Sequence, residues 1–180
     1  MLAYVFWHRR KQASREEYEK RLTKFHETLA SSQLWGFRGS VVARIVGAAP
    51  WFSSSDSEES CYEDWYLLEG SEVLDRLNEA AVTDSRKDPH DSIASLATDT
   101  HGGLYQLKTG GSLASSASSS SVSASFAHWV SKPAGRSYEV FYADIAKYLQ
   151  SERTGLWRRQ MTLGPTPEFC IMAEKKMDVR

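Results

Sequence analysis

The chain has 180 residues, enough for one compact domain or two small units packed as one. Hydrophobic residues make up 41% and charged residues 25%, a balance that supports a packed core and excludes global disorder. With 22 basic and 23 acidic residues the net charge is -1, which argues against a dedicated nucleic-acid binder, and no apolar run approaches the roughly 20 residues of a membrane span.

Leu2 to His8 is short, apolar and aromatic, and reads as a strand. His8-Arg9-Arg10-Lys11 follows this run instead of preceding it, the wrong order for a secretory signal. Ser14 to Glu17 is a capping-box pattern, in which a hydroxyl and a Glu three residues on satisfy free amides reciprocally. Behind it Tyr18, Leu22, Phe25 and Leu29 recur on one helical face. Phe37 to Val46 reads as a second strand, Trp51 to Ser60 as a Ser- and acid-rich loop, and Tyr62 to Glu69 as a third strand. Ser71 is placed to cap a helix carrying Val73, Leu74, Leu77, Ala80 and Ala81. Asp88 and Pro89 read as the cap and first position of another helix, with Ile93, Leu96 and Ala97 on its buried face. Gly102-Gly103 then turns the chain into a fourth strand, Leu104 to Lys108. The order is βαββαβ, the ferredoxin-like unit.

Residues 112 to 125 hold nine serines in fourteen positions and read as a flexible linker. The chain then starts again. Phe126 to Val130 is a strand, and Ser137 caps a helix bearing Tyr138, Phe141, Tyr142, Ile145 and Leu149. Leu156 to Leu163 and Glu168 to Ala173 are two further strands, separated by a turn at Gly164-Pro165-Thr166-Pro167. The second copy is βαββ only. The organisation is therefore α+β: residues 1–110 form a ferredoxin-like unit, 111–125 a Ser-rich linker, and 126–180 an incomplete second unit packed on the first. The strands carry large apolar residues at both odd and even positions, as in Leu2-Ala3-Tyr4-Val5-Phe6-Trp7. Both sheet faces want burial, which calls for sheet against sheet as well as helix against sheet.

The segment Phe6-Trp7-His8-Arg9, through Glu17-Tyr18 to Phe25-His26-Glu27-Thr28-Leu29, is similar to the opening of EthD-like and NIPSNAP-like proteins. With the βαββαβ order it resembles the dimeric α/β-barrel superfamily. That resemblance implies a cavity between sheet and helices, a homo-oligomer, and a small apolar or aromatic ligand. It does not by itself imply a reaction; an enzyme of the cyclase or cofactor-poor monooxygenase type is the first functional expectation. No cofactor is expected, with haem the one alternative. A non-catalytic binding or assembly module is the other functional class the pattern allows.

Carried over from the resemblance, the first-helix His26 is the candidate general base. Asp64 and Tyr66 share a strand face and complete the candidate catalytic set. A buried Asp is costly without a partner, and Arg38 and Arg44 on the second strand are the natural ones. His8, Trp65, Arg38 and His90 are candidate ligand-binding residues. The bland reading of each histidine is a hydrogen-bonded or solvated side chain. No HxxxH or HxH pair marks a metal site. Cys61 and Cys170 form neither a metal motif nor a disulfide framework and fit a reducing, cytoplasmic setting.

Overall fold

The computed structural model describes residues 1–46, 52, 60–111, 126–151, 154–160, 167–173 and 176–178. The first unit runs β1 (Leu2–Arg10), α1 (Arg15–Ala30), β2 (Phe37–Arg44), β3 (Cys61–Leu68), α2 (Val73–Ala81), a 3-10 turn (Asp84–Arg86), α3 (Lys87–Ala94) and β4 (Ala97–Gly110). The second runs β5 (Phe126–Val130), α4 (Tyr138–Ala146), β6 (Gly155–Arg159) and β7 (Phe169–Ala173). The strands form one antiparallel sheet in the order β2-β3-β1-β4-β6-β7-β5. The fold is α+β, a ferredoxin-like βαββαβ unit continued by an incomplete βαββ unit.

The side-chain period of two explains the apolar strands. On β1 and β3, Leu2, Tyr4, Phe6, Tyr62, Tyr66 and Leu68 join Tyr18, Leu22, Phe25 and Leu29 of α1 in one core. Ala3, Val5, Trp7, Trp65 and Leu67 point the other way, into a second core with Trp157 of β6 and Cys170 and Met172 of β7. A third core packs α4, through Phe141 and Ile145, against Leu156, Phe169 and Ile171. The first unit is thus buried on both faces, by its helices on one side and the strands of the second unit on the other. Each large side chain moved out of water contributes about 1.5–3 kcal/mol, so this double burial dominates the stability.

Two of the three N-caps predicted on hydroxyls form. Ser14 Oγ accepts from Glu17 N–H, and Ser137 Oγ from Val140 N–H. The expected cap at Ser71 does not: α2 starts with Glu72 at its N-cap, without a side-chain bond. α3 begins at Lys87, one residue before Asp88, with Pro89 inside its first turn. Leu96 and Ala97 lie beyond its end.

The largest difference from expectation lies at Gly102-Gly103, which is not a turn. β4 passes straight through it, with Gly102 opposite Phe6 and Gly103 opposite Val5. The pair is there for space. A Cβ on Gly102 would come within 2.6 Å of Tyr4 Oη, so the bare backbone admits the Tyr4 ring. His101, just before the pair, is an exposed strand residue. The Ser-rich segment 112–125, most of the Trp51 to Ser60 loop and Gly164 to Thr166 lie outside the described residues.

Candidate functional site

A cavity of about 460 Å³ lies between the helix-facing side of the sheet and α1, α2 and α3. Tyr4, Phe6 and His8 of β1 form a strip of stacked rings along one wall, at 6.4 Å and 5.4 Å between successive centroids. Leu22 and Leu29 of α1, Leu74 and Leu77 of α2 and Ile93 of α3 line the aliphatic side. Such a slot suits a flat apolar body.

The polar groups converge on Asp64. β1 and β3 pair so that Phe6 lies opposite Asp64 and His8 opposite Tyr62, which puts His8 and Asp64 on one face. His8 Nε2 is 3.2 Å and His26 Nε2 3.3 Å from the same oxygen, Asp64 Oδ2. Tyr66 donates its hydroxyl to that oxygen at 3.3 Å. The other ring nitrogens are also held: His8 Nδ1 by Tyr18 Oη at 2.5 Å, and His26 Nδ1 by Ser40 Oγ at 2.7 Å. Hydroxyl donors at both Nδ1 atoms fit imidazoles that carry their protons on Nε2, toward the carboxylate. His26 and Tyr66 stack at 5.2 Å, which fixes the ring planes.

All these side chains are buried; Asp64 is 2% exposed. Burial alone would raise the Asp64 carboxyl, but the imidazoles of His8 and His26 outweigh it and hold the group well below the ordinary carboxylate range. Tyr66 and Tyr18 are pushed the other way, first by burial and then by the Asp64 charge, so both keep their protons. The arrangement is a buried carboxylate with imidazole and phenol donors, which can orient a ligand and pass a proton.

The residues singled out by sequence do not all meet. His8, Asp64, Tyr66 and His90 line the cavity. His26 joins the cluster but is not on the wall, so its contact with a ligand runs through Asp64 and Tyr66. His8, at the predicted end of the first strand, is 1% exposed, and β1 runs on past it to Arg10. Two placements are corrected. Trp65 faces the barrel core, because its odd position on β3 sends it away from Asp64 and Tyr66. Arg38 is at the surface, paired with Glu69, and Arg44 reaches Glu19 at 3.9 Å. Histidines therefore take the place of both arginines as partners of Asp64. His90 sits on α3 with Nδ1 at 3.1 Å from Asp91 Oδ1 and its ring edge-on to Phe25 at 5.6 Å.

Tyr18 and Ser40 were not recognised as site residues. Tyr18 was visible only as a helix-face aromatic, and Ser40 lies opposite Tyr66 in the β2–β3 register, which no local motif encodes. Ser40, His26 and Asp64 are connected in series, but Ser40 is not on the cavity wall. It is a tautomer-holding hydroxyl and has no access as a nucleophile.

Haem would need an imidazole nitrogen free to ligate iron from the wall. His26 is off the wall with contacts at both nitrogens, and His8 Nε2, which makes no hydrogen bond among the described residues, lies 3.2 Å from Asp64 Oδ2, so neither imidazole presents a nitrogen clear of its neighbours. Among the described residues, no group of three or more His, Cys, Asp or Glu is placed to hold a metal ion. No described helix is long and apolar enough to cross a membrane.

No family model matches the chain, and no curated protein matches it. Solved structures do. A candidate monooxygenase from Lactobacillus acidophilus NCFM aligns over 96% of this chain and 77% of its own, with TM-score 0.56 and 10% identity. A candidate chlorite dismutase aligns over 97% of this chain and 80% of its own, with TM-score 0.51 and 13% identity. An EthD-family protein from Bacillus halodurans C-125 aligns over 57% of this chain and 97% of its own, with TM-score 0.37 and 20% identity. The first two matches span both units, and the fold is the dimeric α/β-barrel type.

Proposed function

We propose that this protein is an enzyme acting by acid–base chemistry on a small apolar or aromatic compound, of the cyclase or cofactor-poor monooxygenase type. The carrying observation is the Asp64 carboxylate, buried against two imidazoles and a phenol where it meets an aromatic cavity of about 460 Å³. Both reaction types begin with loss of a proton from the substrate. His8 is the imidazole on the wall that can receive it, with the Asp64 charge beside it to stabilise the imidazolium and Tyr66 as hydrogen-bond donor. In this reading His26 and Ser40 are positioning residues that hold the carboxylate from behind. His90 contributes to the wall from α3.

Residues 1–110 and 126–180 are read as a complete unit and a shortened one joined by the Ser-rich segment. The exposed strand edges of β2 and β5 support self-association. The buried Cys61 and Cys170, not joined in a disulfide, support a reducing, cytoplasmic setting.

The test is a binding and turnover screen of uncharged phenols and polyketide-like aromatics, with wild type beside Asp64→Asn and His8→Gln. The expected result is a compound that both variants bind and neither turns over. A full set of binders turned over equally by all three proteins would remove the catalytic assignment. Absence of any binder would favour the assembly-module reading.

A further inference from the structure

We propose that this cavity selects against anions, with Asp75 at its rim as a specificity-determining residue. Its substrate class is then an aromatic compound with hydroxyl or amine donors and no carboxylate, sulfate or phosphate. The inference rests on the functional reading above and narrows it.

Among the described residues that line the cavity there is no Lys or Arg. The charged groups on the wall are two carboxylates, Asp64 at the polar cluster and Asp75 on the exposed side of α2, with the amide of Asn78 three residues on along the same helix. The two wall imidazoles do not supply a free positive charge. His8 is taken up by Asp64 and Tyr18, and His90 leans on Asp91. Four basic residues on the surrounding elements are turned to other partners. Arg9 pairs with Asp99, Arg21 with Glu17 and Ser92, Lys87 with Asp91, and Arg76 lies over the Trp35 ring.

An anion entering this slot would leave water, meet no cation, and approach a carboxylate that already holds its charge. Burying an uncompensated charge costs several kcal/mol, far more than an aromatic ring recovers by stacking. A donor group has the opposite fate. Asp64 Oδ1 is buried and accepts no hydrogen bond among the described residues, while Oδ2 takes all the protein contacts. A carboxylate with one idle oxygen favours a ligand that brings its own O–H or N–H.

The experiment uses the full-length protein with 2-naphthol and 2-naphthoate, matched in shape and different in charge, titrated at neutral pH by calorimetry. The expected result is that naphthol binds and naphthoate binds roughly tenfold more weakly or worse. Asp75→Lys should strengthen naphthoate by roughly tenfold and change naphthol far less, because one rim charge is reversed at partial solvent screening. Asp75→Asn should move naphthoate the same way by less. Naphthoate binding to the wild type as well as naphthol would overturn the selectivity. Discrimination untouched by Asp75→Lys would overturn the role of Asp75. If neither probe binds the wild type, the ligand-cavity reading itself fails, a result distinct from both.

Discussion

Glu63 and Asp64 are adjacent in sequence and both are buried, yet β3 delivers them to opposite sides of the sheet and to opposite electrostatic environments. Asp64 faces the helices and meets two imidazoles, which hold its carboxyl well below the ordinary range against the cost of burial. Glu63 faces the barrel core. There its hydrogen-bond donors among the described residues are the neutral indoles of Trp7, Nε1 on Oε2, and Trp65, Nε1 on Oε1, each at 3.1 Å. Burial raises its carboxyl, the two indoles oppose that only in part, and the Asp64 charge adds to it. The lesson concerns partners. Equal burial yields a fixed charge where a group that can become cationic stands opposite, and favours a neutral acid where only dipoles do. That is why the helix-side cavity, and not the barrel core, is where acid–base chemistry is expected.

The sharpest way to break the comparison is to remove Asp64. Asp64→Ala strands two buried imidazoles and the Tyr66 hydroxyl, and should cost about 3 kcal/mol in urea unfolding at neutral pH, in the range for breaking one side of a buried pair. The wild-type pH profile carries the same information. The folded Asp64 carboxyl titrates below its unfolded value, so its contribution is complete above the ordinary carboxylate range. That contribution is lost as the pH falls through the depressed folded value. The acid limb of the stability curve should therefore flatten in Asp64→Ala. An unchanged acid limb would mean that the imidazoles do not stabilise the carboxylate.

A smaller effect is expected one shell out. Ser40→Ala removes the hydroxyl from His26 Nδ1 and should cost about 1 kcal/mol, the worth of one buried hydrogen bond. Since His26 is off the wall, the same variant should alter turnover of any substrate more than its binding. Loss of affinity with unchanged turnover would show that Ser40 shapes the cavity and does not orient the dyad.

Much of this fold was legible because its strongest signals are local. The hydroxyl caps at Ser14 and Ser137, the helical spacing of Tyr18, Leu22, Phe25 and Leu29, and the two-sided apolar strands each report on a few neighbouring residues. Gly102-Gly103 misled for the same reason. A glycine pair reads locally as a turn, and only the β1–β4 register reveals the Tyr4 ring that needs the space. The site was half legible. Strand parity put Asp64 and Tyr66 on one face and should equally have turned Trp65 away. The partners of Asp64 could not be read, since His8 and His26 reach it by strand pairing and helix docking across more than thirty residues, and opposite charge alone pointed to the arginines.

Glu63→Gln is the most delicate test, because its sign depends on pH. An amide keeps one acceptor oxygen but turns an N–H₂ toward the second indole, so in acid the variant should be less stable by about 1 kcal/mol. In the wild type, the folded Glu63 carboxyl titrates above its unfolded value. Its favourable contribution is thus full below the ordinary carboxyl range and declines as the pH rises through the folded value. Glutamine has no such decline. The gap between the two proteins should close toward neutral pH and then reverse, opposite in slope to the Asp64 effect one residue away. Parallel pH profiles for wild type and Glu63→Gln would mean that the barrel core holds Glu63 as a charge after all. The contrast between the two faces of β3 would then lie in their side-chain partners and not in their protonation.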